Sequence, residues 1–113
     1  MKKPLAIVAI TKHGAEKARL MAAEFAGADL HISPKFKDDR PAIYYEEPLK
    51  ELIARIFNDY LTLVFYVSLG AVVRLIAPVL RDKKTDPAVL VVDDAGKFVI
   101  SVLSGHLGGA NEM

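Results

Sequence analysis

A chain of 113 residues is long enough for one domain and too short for two of ordinary size. Hydrophobic residues make up 52% and charged residues 26%, values typical of a compact globular domain and not of a disordered segment. The formal net charge of +1 argues against a nucleic-acid-binding protein built on a basic face. Because the chain has no cysteine, disulfides, thiol nucleophiles and cysteine-based zinc sites are excluded. This composition fits a cytoplasmic protein.

The first third of the chain predicts two buried strands joined by a helix. Residues 5–10 are continuously apolar, as expected for a strand covered on both faces of a parallel sheet. A helix follows the "TKHG" turn at 11–14, and Gly27 is its natural stop. Residues 28–32 form the second strand. The apolar stripe of the helix comprises Ala18, Met21, Ala22 and Phe25.

A polar segment then leads into the second helix. Residues 33–47 indicate an exposed excursion with a brief strand at 43–45. Pro48 suits the first turn of a helix. Tyr44 and Tyr45 are expected to serve core or edge packing. The apolar stripe of this helix comprises Leu49, Leu52, Ile53, Ile56 and Phe57.

Residues 61–80 have the length of a membrane span, yet they predict a buried strand followed by a buried helix. Arg74 inside a span would cost about 2.5–3.5 kcal/mol. The first half, 61–67, is rich in β-branched and aromatic residues, which favours a strand. A helix from about Ala71 follows, and Pro78 should end or kink it. We therefore expect no membrane segment.

The last third predicts an antiparallel hairpin over residues 88–103. Residues 88–92 and 98–103 are the two strands, and residues 93–97, which include Asp93, form the turn. The beginning of another helix follows. The chain thus predicts one α/β domain over residues 1–113, a three-layer α/β/α fold with a mostly parallel sheet and one hairpin.

In such a fold, ligands bind in the crevice at the carboxyl ends of the strands. This rule selects three loops, "TKHG" at 11–14, "SLGAVVR" at 68–74 and "SGHLGGANE" at 104–112. In the second, Ser68 can cap a helix whose N-terminus binds an anion, with Gly70 allowing a close turn and Arg74 adding a guanidinium. The alternative is that Ser68 is only a cap and Arg74 only a solvated side chain.

The third loop brings a histidine among glycines. His106 suits general acid–base chemistry, because its ordinary pKa lies near neutrality, but it could equally make one structural hydrogen bond. The pattern is neither a dinucleotide fingerprint nor a P-loop. The other candidate binding residues in this loop are Ser104, Gly105, Gly108, Gly109 and Asn111.

The remaining histidines lie outside that loop. His13 follows the first strand at the same predicted edge and is a candidate for binding substrate. His31 is expected to be a strand residue. The spacing of the three histidines does not make a metal site.

Residues 70–112, "GAVVRLIAPVLRDKKTDPAVLVVDDAGKFVISVLSGHLGGANE", closely resemble the N-terminal region of the cobalamin-biosynthesis CbiG family. The first strand and its "TKHG" turn also look like the start of that family, whereas residues 33–47 carry little resemblance. The resemblance implies a cobalt-precorrin-5A hydrolase of anaerobic corrin synthesis, which opens a δ-lactone and releases a two-carbon unit as acetaldehyde. The implied substrate carries many carboxylates and its own cobalt ion, so no further cofactor is expected.

Family members are longer, with a linking region and a separate C-terminal domain. We therefore interpret residues 1–113 as the N-terminal domain of a longer enzyme, and this domain need not be active alone. A second hypothesis is a non-catalytic module of the same fold that binds a tetrapyrrole or a partner. A third, a flavodoxin-like mononucleotide binder, is weakened because no phosphate fingerprint follows the first strand. No feature of the sequence specifies an oligomeric state.

Overall fold

The computed structural model describes residues 2–93 and 99–103, which form a six-stranded sheet with helices on both faces. The order in the sheet is β3-β2-β1-β4-β5-β6. The first five strands are parallel, and β6 runs antiparallel to β5. The strands are β1 (Lys3–Ala9), β2 (Ala28–Ile32), β3 (Ile43–Tyr44), β4 (Tyr60–Tyr66), β5 (Ala88–Val92) and β6 (Val99–Leu103).

Among the residues that the structure describes, three α-helices connect these strands. They are α1 (Lys12–Glu24), α2 (Leu49–Ile56) and α3 (Leu69–Ile76). The side chains of α1 pack on one face of the sheet, and those of α2 and α3 pack on the other. This arrangement confirms the predicted three-layer α/β/α class, with one antiparallel hairpin closing a parallel sheet.

Apolar strands in the middle of the sheet supply the core. β1 and β4 lie at its centre, and Ile7 and Phe65 are among their fully buried side chains. The apolar stretches 5–9 of β1 and 63–66 of β4 follow from burial on both faces of the sheet. Gly27, with φ of 83°, turns the chain after α1, as predicted. Phe25, predicted on the apolar stripe of α1, instead lies beyond the helix end and is exposed.

The connection after α3 ends as predicted, at a proline. Pro78 lies in a short 3-10 turn, Ala77–Val79, that terminates the helix. Asp86 then closes the next turn, because its carboxylate accepts a hydrogen bond from the Arg81 backbone N–H at 3.0 Å. Among the described residues, no helix has both the length and the apolar character needed to cross a membrane.

Candidate active site

The two central strands end side by side at the carboxyl edge of the sheet, where Ala9 of β1 pairs with Tyr66 of β4. From there the chain diverges, because α1 lies on one face and α3 on the other. This divergence is the topological switch point of the strand order, where open α/β sheets bind ligands. The structure therefore brings together the predicted loops at residues 11–14 and 68–74.

The start of α1 is held tightly against the end of β4. Thr11 caps the helix, and its hydroxyl accepts a hydrogen bond from the Gly14 N–H at 2.9 Å. A Cβ on Gly14 would lie 2.8 Å from Thr11 Oγ1 and 3.2 Å from the Tyr66 backbone oxygen. Only glycine allows this close approach of helix to strand. His13 is exposed in the first turn of α1, at the predicted edge.

The helix on the other side of the switch point begins earlier than predicted, at Leu69. Ser68 caps it by accepting a hydrogen bond from the Ala71 N–H at 3.4 Å. Gly70 lies in the first helical turn, and a Cβ there would meet nothing within 4 Å. The glycine therefore serves no tight turn, in contrast to the prediction. Because Gly70 has no side chain, the N-terminus of α3 is unobstructed, and its free N–H groups and partial positive charge suit an anion.

Arg74 lies one turn further along α3, on the same face as Gly70, because residues four apart in a helix stack one above the other. Its side chain is exposed and makes no hydrogen bond or ion pair within residues 2–93 and 99–103. At about 1.5 Å of rise per residue, the two Cα atoms are about 6 Å apart along the helix axis. The guanidinium is thus available to bind a carboxylate on this face.

Asp93 is a candidate that sequence reasoning missed. It follows β5 directly at the carboxyl edge and is half-buried, and β5 lies next to β4. The sequence placed it in a turn, because aspartate is typical of turns. Its position beside β4 makes its carboxylate a candidate for proton transfer. The end of the β5 apolar run was the signal that could have indicated this position.

The strand that precedes the glycine-rich loop ends at the opposite edge of the sheet. Leu103, at the end of β6, pairs with Val89 near the start of β5. An antiparallel strand ends where its partner begins, so the prediction that all three loops start from the carboxyl edge is wrong for the third. The candidate residues of that loop, Ser104, Gly105, His106, Gly108, Gly109 and Asn111, lie outside the described residues.

A polar cluster joins β1, β2 and β4 near the amino edge, and two of its members, His31 and Tyr60, are buried. The Tyr60 hydroxyl donates to Asp29 Oδ2 at 2.6 Å and lies 3.2 Å from His31 Nε2. Lys3 Nζ lies 3.3 Å from the same carboxylate oxygen. His31 is only 3% exposed, which confirms its predicted place within a strand. The cluster therefore ties together three strands at the edge away from the switch point.

This cluster predicts a pH-dependent stability. Burial lowers the pKa of His31, against the opposing effect of the Asp29 carboxylate. As pH falls below about 6.5, the unfolded chain binds the proton before the folded chain does. The contribution to the free energy of unfolding is therefore present above that pH. It should be lost toward the lower folded pKa, by at most about 1.4 kcal/mol per pH unit.

Urea unfolding of the native protein and of His31→Gln between pH 7.5 and 5 would measure this loss. The free energy of unfolding of His31→Gln should depend less steeply on pH across this range. Against the opposing effect of burial, hydrogen bonds from Tyr60 and Lys3 lower the pKa of the Asp29 carboxylate, so this carboxylate titrates below the window. If the free energy of unfolding changes with pH at the same slope in both proteins, the assignment to His31 is wrong.

Residues 51–113 match the family model described as cobalamin synthesis G N-terminal, which is more than half of the chain. The chain belongs to this family. A cobalt-precorrin-5A hydrolase from Priestia megaterium is 49% identical over 112 residues, covering 96% of this chain and 30% of the relative. A cobalt-precorrin-5A hydrolase from Salmonella typhimurium is 35% identical over 109 residues, again covering 96% of this chain and 30% of the relative. The chain thus spans less than a third of the length of these curated relatives.

A solved structure is also similar to this chain. The crystal structure of a cobalamin biosynthesis protein G homolog from Sulfolobus solfataricus superposes with a TM-score of 0.63. The two chains are 24% identical, and the match covers 96% of this chain and 31% of the other. This likeness shows a shared fold.

Proposed function

We propose that this chain is the N-terminal domain of a cobalt-precorrin-5A hydrolase of anaerobic cobalamin biosynthesis, working in the cytoplasm. The observation that carries the proposal is the 49% identity with the Priestia megaterium hydrolase, because it extends over 112 residues. Since the chain covers 30% of that relative, a C-terminal domain would complete the enzyme.

The proposed reaction has two steps. Water attacks the carbonyl carbon of the δ-lactone, and the acyl C–O bond breaks to give a carboxylate and an alcohol. The alcohol then loses its proton as its carbon–carbon bond to the ring breaks, which releases acetaldehyde while the ring carbon takes up a proton. These steps need an activated water, a stabilised oxyanion and a group that transfers protons.

Some of the candidate residues are assigned to the chemical steps and others to binding of the substrate. We assign proton transfer to His106 and oxyanion binding to backbone N–H groups of residues 105–109. The open N-terminus of α3, capped by Ser68, together with Arg74, is assigned to the carboxylates of the substrate. We assign His13, in the first turn of α1 across the switch point, to binding of the same ligand. The remaining residues assigned to substrate binding are Gly70, Ser104, Gly105, Gly108, Gly109 and Asn111.

No cofactor is needed for this chemistry, because the cobalt ion belongs to the substrate. The second candidate function is a module that binds a tetrapyrrole or a partner without catalysis. The open surface at Gly70 and the exposed Arg74 would serve that function equally well.

Acetaldehyde release separates the two candidates. Cobalt-precorrin-5A is incubated with the protein at its natural length and, in parallel, with residues 1–113 alone. Acetaldehyde formed in proportion to the natural-length protein supports the hydrolase. Saturable binding of the corrinoid without acetaldehyde from either chain would favour the binding module. Absence of both would overturn the proposed function.

A further inference from the structure

A cleft with a volume of about 500 Å³ lies away from the switch point. It extends from the amino ends of β1 and β4 to the edge strand β3, beside the last turn of α2. Its volume falls within the range of small-molecule sites, roughly 300–1,000 Å³. We call it the amino-edge cleft. Its polar lining includes Lys2, Lys3, His31, Arg55, Asn58 and Asp59.

The strand β2 places His31 on the α2 side of the sheet. Its neighbours Leu30 and Ile32 pack in the core beneath α1. Because side chains alternate along a strand, His31 faces the opposite side, where Tyr60 packs with residues of α2. His31 is almost fully buried and lines the amino-edge cleft. An imidazole with two ring nitrogens is therefore held in the wall of the cleft.

The hydrogen bonds of Tyr60 determine which nitrogen of His31 carries a proton. The Tyr60 hydroxyl donates its hydrogen to Asp29 at 2.6 Å, because an ionised carboxylate can only accept. Toward His31 Nε2, at 3.2 Å, the Tyr60 oxygen can therefore only accept, so Nε2 carries the hydrogen. Burial lowers the pKa of His31, which keeps the ring neutral at pH 7. In this neutral ring, Nδ1 is an acceptor.

Two buried acceptors on residues that line the cleft have no donor within residues 2–93 and 99–103. One is Nδ1 of His31, and the other is Oδ1 of Asn58, in the turn between α2 and β4. A buried acceptor without a hydrogen bond is unfavourable, so native structures almost always give it a partner. The two atoms therefore call for hydrogen-bond donors that the described part of the chain does not supply.

The charged groups of the cleft favour an anion. Three cationic side chains and one carboxylate line it, namely those of Lys2, Lys3, Arg55 and Asp59. The Lys2 ammonium donates to the neutral backbone oxygen of Thr85 at 2.8 Å, and no carboxylate of the described residues pairs with it. Lys3 and Arg55 have carboxylate partners, at 3.3 Å and 2.7 Å, but both side chains are more than half exposed. Exposed ion pairs are weak, so these cations can turn to a ligand.

We propose that the amino-edge cleft binds a small anion that carries hydroxyl groups, such as a hydroxycarboxylate or a sugar phosphate. Its hydroxyl groups donate to His31 Nδ1 and Asn58 Oδ1, and the ammonium groups of Lys2 and Lys3 bind its carboxylate or phosphate. An anion without hydroxyl groups would leave both acceptors unpaired, and a neutral polyol would leave the Lys2 charge without a counterion. The cleft lies away from the edge assigned to the corrinoid, so the proposal does not depend on lactone hydrolysis.

Matched pairs of ligands test the role of the hydroxyl groups. Malate is compared with succinate, which lacks only the hydroxyl, and glycerol phosphate is compared with propyl phosphate, which lacks both hydroxyls. Each ligand is titrated into the natural-length protein, and the nitrogen chemical shift of His31 Nδ1 is followed by NMR. His31→Gln identifies the signal. The first pair tests a carboxylate ligand, and the second pair tests a phosphate ligand.

At least one hydroxylated ligand should shift the Nδ1 signal saturably and bind about tenfold or more tightly than its hydroxyl-free partner. Equal affinities within both pairs would overturn the proposal, because charge alone would then explain binding. No shift with any of the four ligands at millimolar concentration would also overturn it, because water would then satisfy the acceptors. This comparison uses the native protein and needs no substitution.

Two variants test the assigned contacts. Lys2→Ala should weaken binding of the hydroxylated ligand by about tenfold, because it removes a charged donor. Asn58→Leu removes one acceptor and should narrow the difference in affinity within each pair. Lys17→Ala, on α1 at the other face of the sheet, is the matched control and should bind as the native protein does. Native affinity in Lys2→Ala, with thermal unfolding unchanged, would overturn the proposed anion contact.

Discussion

Replacing Arg74 by alanine should raise the KM of the natural-length protein for cobalt-precorrin-5A by about 10- to 100-fold. A hydrogen bond to a charged partner contributes about 1.5–3 kcal/mol, and every 1.4 kcal/mol is a factor of ten. The effect on kcat should be small, because the guanidinium is assigned to a carboxylate that does not react. Because the side chain is exposed and has no partner among the described residues, the fold should lose little stability.

Steady-state kinetics of acetaldehyde release, with thermal unfolding as a check, measure this effect. Arg74→Lys keeps the charge but not the planar fork, so its KM should fall between those of the native protein and the alanine variant. Arg81→Ala is the matched control, because it removes another exposed arginine that follows the same helix at the far side of the connection. A KM for Arg74→Ala within twofold of the native value would remove Arg74 from the binding site.

The main elements of the fold could be predicted because buried strands and helices have recognisable apolar patterns in the sequence. Residues 5–9 of β1 and 63–66 of β4 are continuously apolar, and each strand is followed by a segment with a capping residue, Thr11 or Ser68. Apolar runs and capping residues are local features, so periodicity and capping rules locate them. The element boundaries shifted by one or two residues, as for α3, which begins at Leu69 and not at Ala71.

The packing of the excursion at 33–47 could not be predicted, because its contacts join residues far apart in the chain. Arg19 of α1 donates to the Tyr44 hydroxyl at 2.8 Å and pairs with Asp38 at 3.3 Å. Arg40 pairs with Glu16 at 2.8 Å. A polar sequence predicts exposure, yet these charges hold the excursion against α1.

The candidate site also combines features that local sequence patterns predict with features that only long-range contacts reveal. Ser68 and His13 were found from local patterns, and the adjacency of β1 and β4 then brought their loops together. That adjacency joins strands that are not consecutive in the chain, and only the folded sheet reveals it. The placement of the glycine-rich loop was wrong because a hairpin and a shared carboxyl edge are incompatible. Once β6 returns antiparallel to β5, Leu103 must end at the amino edge.

The position of Leu103 also constrains the proposed chemistry. Fully extended, the three residues from Leu103 to His106 span at most about 11 Å. The distance along β5 from Val89, at the amino edge, to Val92, at the carboxyl edge, is about 10 Å. An active site that contains both His106 and the Ser68 cap therefore requires the chain after Leu103 to turn back along the sheet.

His106→Ala should lower kcat for acetaldehyde release by about 10²- to 10⁴-fold, because a positioned general acid or base contributes a factor of this size. KM should change by only a few-fold, and the limb of the pH–rate profile that reports the imidazole should disappear. His13→Ala is the matched control, since it removes the histidine assigned to binding and should act mainly on KM. Added imidazole should restore part of the activity of His106→Ala. A kcat within a few-fold of native would reject proton transfer by His106 and direct attention to the half-buried carboxylate of Asp93 at the carboxyl edge.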